Sequence, residues 1–136
     1  MDAELLLAHV LGISRTALLT LGEVRDDDAA RYGALLDQRA DRVPLQHLTG
    51  RAPFRHLELA VGPGVFVPRP ETEQLTGWVL ERLAGLAEPV VVDLGSGSGA
   101  MAKSIADEVP GARVHAVELD ESAHGYAIRN LAGTGV

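Results

Sequence analysis

The sequence predicts an α/β fold with a small N-terminal helical domain, a β-hairpin linker and the first part of a parallel-sheet domain. Residues 1–50 place apolar side chains at helical spacing, and residues 51–70 combine prolines and glycines with short alternating segments. Residues 71–136 then follow the order helix, strand, glycine-rich loop, helix, strand and helix. Because a strand–helix–strand order is typical of parallel sheets, these three ranges are the predicted domains.

The helical domain is predicted to contain short helices with their own start and stop residues. In "DAELLLAHVLG" an apolar stripe ends at Gly12, and Ser14 is the predicted N-cap of "RTALLTL". The segment "DDDAARYGALLDQRADR" begins with acids and ends with arginines, which is the charge order that a helix dipole favours.

The linker is predicted to fold back on itself. The segments "HLELAV" and "GVFVP" alternate in hydrophobicity, and Gly62-Pro63-Gly64 lies between them, so the predicted hairpin turns at these three residues. Pro70 then stands where a first-turn proline is tolerated, at the start of the helix predicted in "ETEQLTGWVLERLAGL".

Composition excludes several classes of protein. The 136 residues include 19 Asp and Glu against 12 Lys and Arg, and the formal charge of −7 disfavours tight binding to a nucleic-acid backbone. The chain has no cysteine, no apolar run near the roughly 18 residues of a membrane helix, and no opening that resembles a signal peptide. We therefore expect a soluble cytoplasmic protein with no direct nucleic-acid or membrane binding.

The histidines are predicted to have structural or surface roles. The five are scattered and lack metal-ligand spacing: His9, His47, His56, His115 and His124. The sequence therefore predicts no metal site and no histidine acting as general base.

The stretch "VDLGSGSGA" places a glycine at every second position between a predicted strand and a predicted helix. Gly95, Gly97 and Gly99 allow a ligand to approach the backbone beside the free N–H groups of the following helix. Dinucleotide sites use G-x-G-x-x-G, whereas this loop is G-x-G-x-G and follows Asp93. The next strand ends in Glu118, 23 residues beyond Gly95, where a carboxylate can accept hydrogen bonds from ribose hydroxyls. The arrangement resembles the first motif of class I S-adenosylmethionine-dependent methyltransferases.

A second set of residues narrows the resemblance to one family. It consists of "LTG" (48–50), Phe54, "VPRPETE" (67–73), "DLGSGSGA" (93–100), Glu118, Ser122-Ala123 and Asn130. With these residues the chain resembles, over nearly its whole length, the HemK/PrmC protein-glutamine methyltransferases. Those enzymes modify the glutamine of the Gly-Gly-Gln motif in bacterial peptide chain release factors. "RPETE" is the most specific element, since related enzymes that methylate a ribosomal protein usually differ after "PR".

The resemblance implies a helical domain that helps to recognise the release factor and a Rossmann-like class I methyltransferase domain that binds S-adenosyl-L-methionine. The residues implied to bind the cofactor are Asp93, Gly95, Ser96, Gly97, Ser98, Gly99 and Glu118. Those implied to shape the cavity near the reacting centre are Phe66, Arg69, Pro70, Glu71 and Thr72. A salt bridge between Arg69 and Glu71 that pins the linker is an equally supported interpretation of that pair.

The sequence departs from the family pattern in three places. Lys103 occupies a helix position that is usually apolar, and Glu118 stands where Asp is more frequent. The family's Asn-Pro-Pro-Tyr motif, implied to hold the glutamine amide, does not occur, so no catalytic residue is assigned and this chain alone is expected to be inactive. Because parallel strands are normally covered on both faces, we also expect self-association through an uncovered sheet edge.

Other functions stay open at this point. The helical region and hairpin could form a non-enzymatic module that binds a protein partner, or the enzyme could act on a glutamine of a ribosomal protein. A nucleic-acid methyltransferase is disfavoured by the acidity of the chain and by "RPETE".

Overall fold

The first fifty residues form helical segments in the computed structural model, which describes all 136 residues. Helix α1 spans Asp2–Leu11, a 3-10 helix spans Arg15–Thr20, α2 spans Asp26–Ala40 and α3 spans Leu45–Thr49. The predicted cap at Ser14 is confirmed, since its hydroxyl accepts a hydrogen bond from the Ala17 N–H. No helix of the structure is both long enough and apolar enough to cross a membrane.

Helices α1 and α2 are joined by an ion pair. Arg39 donates to the Asp2 carboxylate at 2.9 Å. Within the same unit the apolar face of α1 is buried at Leu6, Ala8 and Val10. Helix α1 ends at Leu11 because Gly12 adopts a left-handed φ of 65°, and its N–H bonds to the last carbonyls of the helix. These contacts make residues 1–50 one compact unit, and residues 51–136 form the other.

The hairpin lies earlier in the chain than predicted. Strand β1 spans Arg51–Phe54 and pairs antiparallel with β2 at Leu57–Ala60, with Phe54 opposite Leu57. The turn is therefore Arg55-His56, and the predicted turn at residues 62–64 and the predicted strand in "GVFVP" are wrong. Two features obscured the real turn: Pro53 lies inside β1, and Arg55 takes a φ of 52° that favours glycine.

The hairpin turn is anchored to the helix that follows the glycine loop. Arg55 donates two hydrogen bonds to the carboxylate of Glu108, at 2.8 and 2.7 Å. This bidentate pair lowers the pKa of Glu108 below its usual value. It fixes the turn end of the hairpin to Glu108, the last residue of helix α5 (Ala100–Glu108).

The rest of the second unit is the expected strand–helix–strand arrangement. Helix α4 spans Pro70–Leu83, β3 spans Val90–Leu94, α5 spans Ala100–Glu108, β4 spans Arg113–Val117 and α6 spans Glu121–Leu131. Strands β3 and β4 pair in parallel, with Val90 opposite Arg113 and Leu94 opposite Val117. The α/β fold class is thus confirmed. The division of the chain at residues 50 and 70 stays a proposal.

Alternate residues give this sheet a covered face and an exposed face. Val91 and Val114 pack in one apolar cluster with Ile105 of α5. Val92 and Leu94, which point the other way, are 53% and 77% exposed. Self-association through this part of the sheet stays a prediction.

Lys103 is accommodated at the edge of the α5 core. Its side chain is 21% exposed, and its ammonium lies 3.8 Å from the Asp107 carboxylate one turn later. A lysine can bury its aliphatic stem while the charge stays at the surface, so this departure from the family pattern leaves the covered face of α5 intact.

Glycine at position 62 allows the linker to pass close to α6. A Cβ built there would overlap the hydroxyl of Tyr126, and the ring carbon that carries this hydroxyl would be 3.1 Å away. At Gly64, which has a φ of +89°, a Cβ would lie 2.6 Å from the Cβ of Ser122. The segment between β2 and α4 therefore depends on small residues to lie against α6.

Gly62→Ala is expected to lower the free energy of unfolding by about 1–3 kcal/mol, because the rigid Tyr126 ring must move to admit the methyl group. Urea denaturation would measure the change. Gly125→Ala is the matched control, since Gly125 lies inside α6 with nothing near its Cβ position, and it should gain about 0.5–1 kcal/mol. The Tyr126→Phe background should restore part of the Gly62→Ala loss, and the absence of this rescue would contradict the explanation.

Candidate functional site

The glycine loop connects β3 to α5 through three left-handed residues. Gly95, Gly97 and Gly99 have φ values of 74°, 55° and 79°, a region that other residues enter only with strain. The loop is tied to the neighbouring strand, because the N–H groups of Gly95 and Ser96 both bond to the carbonyl of Val117, at 2.8 and 3.0 Å. The three glycines are therefore required by the path of the backbone.

A pocket of about 230 Å³ lies against this loop. We call it the glycine-loop pocket. One wall is the linker and the first turn of α4, and the other is the end of β3, the glycine loop and the start of α5. Its lining residues are Phe66, Pro68, Arg69, Thr72, Asp93, Leu94, Gly95, Ser96, Gly97, Ser98, Ala100 and Met101. The two groups of residues singled out in the sequence, one for the cofactor and one for the cavity, thus meet in one pocket.

Four of the predicted residues lie outside the lining. Pro70 and Glu71 are the exposed first residues of α4. Gly99 ends the loop, and its Cβ position lies against Leu131 of α6. Glu118 follows β4 and accepts a hydrogen bond from Gly97, which lines the pocket. Sequence reasoning missed other lining residues, including Pro68 and Met101, because apolar residues beside a motif have no pattern of their own.

Arg69 contacts the aromatic ring of Phe66 and not the carboxylate of Glu71. Its guanidinium carbon lies 4.8 Å from the centroid of the Phe66 ring, within cation–π distance. No ion pair joins Arg69 to Glu71, so the salt bridge considered from the sequence is wrong for this structure. Phe66 is 69% exposed, and this contact places both side chains at the linker wall of the pocket.

The Glu118 carboxylate organises the glycine loop. It accepts hydrogen bonds from the backbone N–H groups of Gly97 at 2.7 Å, Leu119 at 2.8 Å and Asp120 at 3.0 Å. The bond from Asp120, then that from Gly97, lowers the pKa of Glu118 below its usual value. A carboxylate has about four acceptor positions, so three bonds leave room for another donor.

Asp93 is the acid that lines the pocket itself. It is half-buried at the end of β3, and its carboxylate accepts a hydrogen bond from the Ala102 N–H at 3.2 Å. Burial raises the pKa of Asp93, the bond from Ala102 opposes this effect, and the negative charge of Glu118 adds to it. Asp93 and Glu118 therefore place two carboxylates around one glycine loop.

Comparisons with known proteins identify the family of this chain. Residues 56–136 match the family described as methyltransferase small domain. The chain belongs to the methyltransferase small domain family. Residues 1–50 match the family described as PrmC N-terminal domain, so the predicted resemblance to the HemK/PrmC enzymes is confirmed.

Curated relatives that match the chain are named release factor glutamine methyltransferase. The chain is 52% identical to a release factor glutamine methyltransferase of Streptomyces coelicolor, covering 99% of this chain and 48% of that protein. It is 47% identical to proteins of the same name from Bifidobacterium longum and Mycolicibacterium smegmatis, covering 98% and 99% of this chain and 48% of each relative. The chain thus spans about half the length of the curated relatives it matches.

Proposed function

We propose that the glycine-loop pocket binds S-adenosyl-L-methionine and that the protein methylates the side-chain amide of a glutamine, in the Gly-Gly-Gln motif of peptide chain release factors. The proposal is supported by the pocket geometry and by the names of the relatives that match both parts of the chain. The Asn-Pro-Pro-Tyr motif is absent from these residues, so the groups that hold the glutamine amide are not assigned.

The acid that lines the pocket favours S-adenosyl-L-methionine over a dinucleotide as the ligand. Asp93 lines the pocket beside the glycine loop, where a dinucleotide would place its pyrophosphate. S-adenosyl-L-methionine has no phosphate and carries an ammonium and a sulfonium. The ionised Asp93 carboxylate would attract these cations and repel a pyrophosphate.

Each residue of the site has a distinct role in this proposal. The ionised carboxylate of Asp93 accepts a hydrogen bond from the ammonium, and the remaining acceptor position of Glu118 takes a ribose hydroxyl. Ser96 and Ser98 line the loop wall, and Gly95 and Gly97 allow the ligand to approach the backbone.

The linker wall would face the reacting centre. Phe66, Arg69 and Thr72 lie opposite the glycine loop, where they would exclude water and position the substrate. The bound cofactor supplies the methyl group. Methyl transfer to an amide nitrogen depends chiefly on positioning in a dry pocket, which is what such a wall provides. Residues 1–50 would form the domain that recognises the release factor.

Isothermal titration tests the cofactor assignment. We expect S-adenosylmethionine and S-adenosylhomocysteine to bind this chain with one-to-one stoichiometry, and NAD and ATP to give no heat under the same conditions, because their phosphates would meet the Asp93 carboxylate. Circular dichroism of the same sample would establish that the chain is folded. Binding of NAD in place of S-adenosylhomocysteine would overturn the assignment, and binding of neither would favour a protein-binding module.

A further inference from the structure

One side chain on α6 bonds both to the glycine loop and to the end of β2, which leads into the linker. The Oδ1 atom of Asn130 accepts a hydrogen bond from the Ala60 N–H at 2.8 Å. Its Nδ2 atom donates to the carbonyl of Ala60 and to the carbonyl of Ser98, both at 2.9 Å. Ala60 ends β2 and leads into the linker, whereas Ser98 belongs to the glycine loop. A single amide therefore joins two segments that are distant in sequence.

This set of bonds requires an amide. Asparagine offers an acceptor and two N–H donors on one short side chain, and all three are used here. Aspartate has the same shape but no donor, so it would face the carbonyls of Ala60 and Ser98 with a negative charge. Asn130 is also the only asparagine in the chain.

The residues around Asn130 on α6 contact the same two segments. Toward the start of the helix, Tyr126 packs in one apolar cluster with Val61 of the linker. Toward its end, Leu131 lies 3.1 Å from the Cβ position of Gly99 in the loop. Asn130 is located where these two contact areas meet.

We propose that Asn130 is a positioning residue that fixes the spacing between the linker wall and the loop wall of the glycine-loop pocket. The proposal rests on the proposed function, in which that pocket takes S-adenosylmethionine. Asn130 does not line the pocket, so it acts through Ala60 and Ser98. The linker wall begins at Phe66, shortly after Ala60, and this short connection transmits the position of the hairpin to the pocket.

The single asparagine permits a direct test in the intact chain. Selective ¹⁵N-asparagine labelling should give one side-chain amide in the NMR spectrum. We expect both of its protons to exchange with water about tenfold slower, or more, than those of free asparagine, since both are hydrogen-bonded. The signal should also shift when S-adenosylhomocysteine is added. Exchange at the free rate would overturn the proposal.

A pair of variants separates positioning from stability. Asn130→Asp keeps the acceptor but removes both donors, and we expect it to bind S-adenosylhomocysteine about tenfold more weakly or worse. Ile105→Val trims a fully buried side chain that does not line the pocket, so it should lower the unfolding midpoint and leave the affinity unchanged. Equal affinity in Asn130→Asp and the wild-type chain, measured where both are folded, would assign Asn130 a structural role only.

The two proposals fail in different ways. If the wild-type chain binds no S-adenosylhomocysteine, the proposed function is wrong. The exchange rate of the Asn130 amide then still decides whether this side chain joins the hairpin to the glycine loop: slow exchange supports the connection, and exchange at the free rate contradicts it.

Discussion

Glu118→Ala is expected to weaken S-adenosylhomocysteine binding by about 10- to 150-fold, which corresponds to about 1.5–3 kcal/mol. The variant loses the acceptor proposed for the ribose and also the bond that holds Gly97 in place. Isothermal titration of the variant beside the wild-type chain would measure the loss. Faster hydrogen exchange of the Gly97 amide should accompany this loss, because the carboxylate that accepts its hydrogen bond is removed.

Glu121→Ala is the control for this experiment. Glu121 is an exposed acid three residues further along the chain, in the first turn of α6, and its removal changes the net charge by the same amount. We expect its affinity to stay close to that of the wild-type chain. If both variants lose affinity equally, the effect is one of overall charge, and the specific role of Glu118 is wrong.

Asp93→Asn is expected to change stability and cofactor binding in opposite directions. Loss of the charge that is proposed to face the cofactor ammonium should weaken S-adenosylhomocysteine binding by about tenfold or more. The variant chain itself should be more stable at neutral pH, because burial disfavours the ionised form of Asp93. Asparagine retains an oxygen that can accept the bond from Ala102.

The stability gain of Asp93→Asn is expected to depend on pH in one direction. Because the pKa of Asp93 is raised in the folded chain, its contribution to stability is fully present below the ordinary value of 3.8 and is lost as the pH rises through the raised pKa. The stability advantage of Asp93→Asn should therefore be absent in acid and grow as the pH rises. Urea denaturation across this range would measure it.

Asp120→Asn is the matched control for Asp93→Asn. Asp120 also accepts a bond from a helix N–H, that of Ala123 at 2.9 Å, but it lies outside the pocket. Asparagine is about as good an N-cap as aspartate, so stability and affinity should both change little. A pH-independent gain in Asp93→Asn, or an equal gain in Asp120→Asn, would contradict burial of charge as the cause.

The order of helices and strands could be predicted because it depends on local patterns. Apolar spacing, the Ser14 cap, Pro70 and the glycine loop each specify an element through its own residues. The hairpin turn could not, since Arg55 adopts a positive φ without being glycine and is held there by Glu108, 53 residues away. A turn stabilised by a distant partner leaves no mark in its own sequence.

The candidate site was predictable to a similar extent. The G-x-G-x-G spacing and the acid after the second strand pointed to the loop and to Glu118, whose bond to Gly97 is seen in the structure. The position of the linker opposite the loop was not predictable from residue patterns, because it depends on how the segment around Gly62 packs on α6. Only the family resemblance indicated that Phe66 and Arg69 belong near the reacting centre.

The anchoring of the hairpin also bears on the order in which the chain folds as it is synthesised. Its turn is held by a residue 53 positions later, and its open end by Asn130, 70 positions later. A two-stranded hairpin by itself is only marginally stable in water. At about 5–20 residues per second, the ribosome needs roughly 4–14 s to add those 70 residues. The anchor at the turn becomes available when Glu108 has been added, and the anchor at the open end only when Asn130 has been added. Complete docking of the hairpin must therefore be a late event that waits for α6 to emerge.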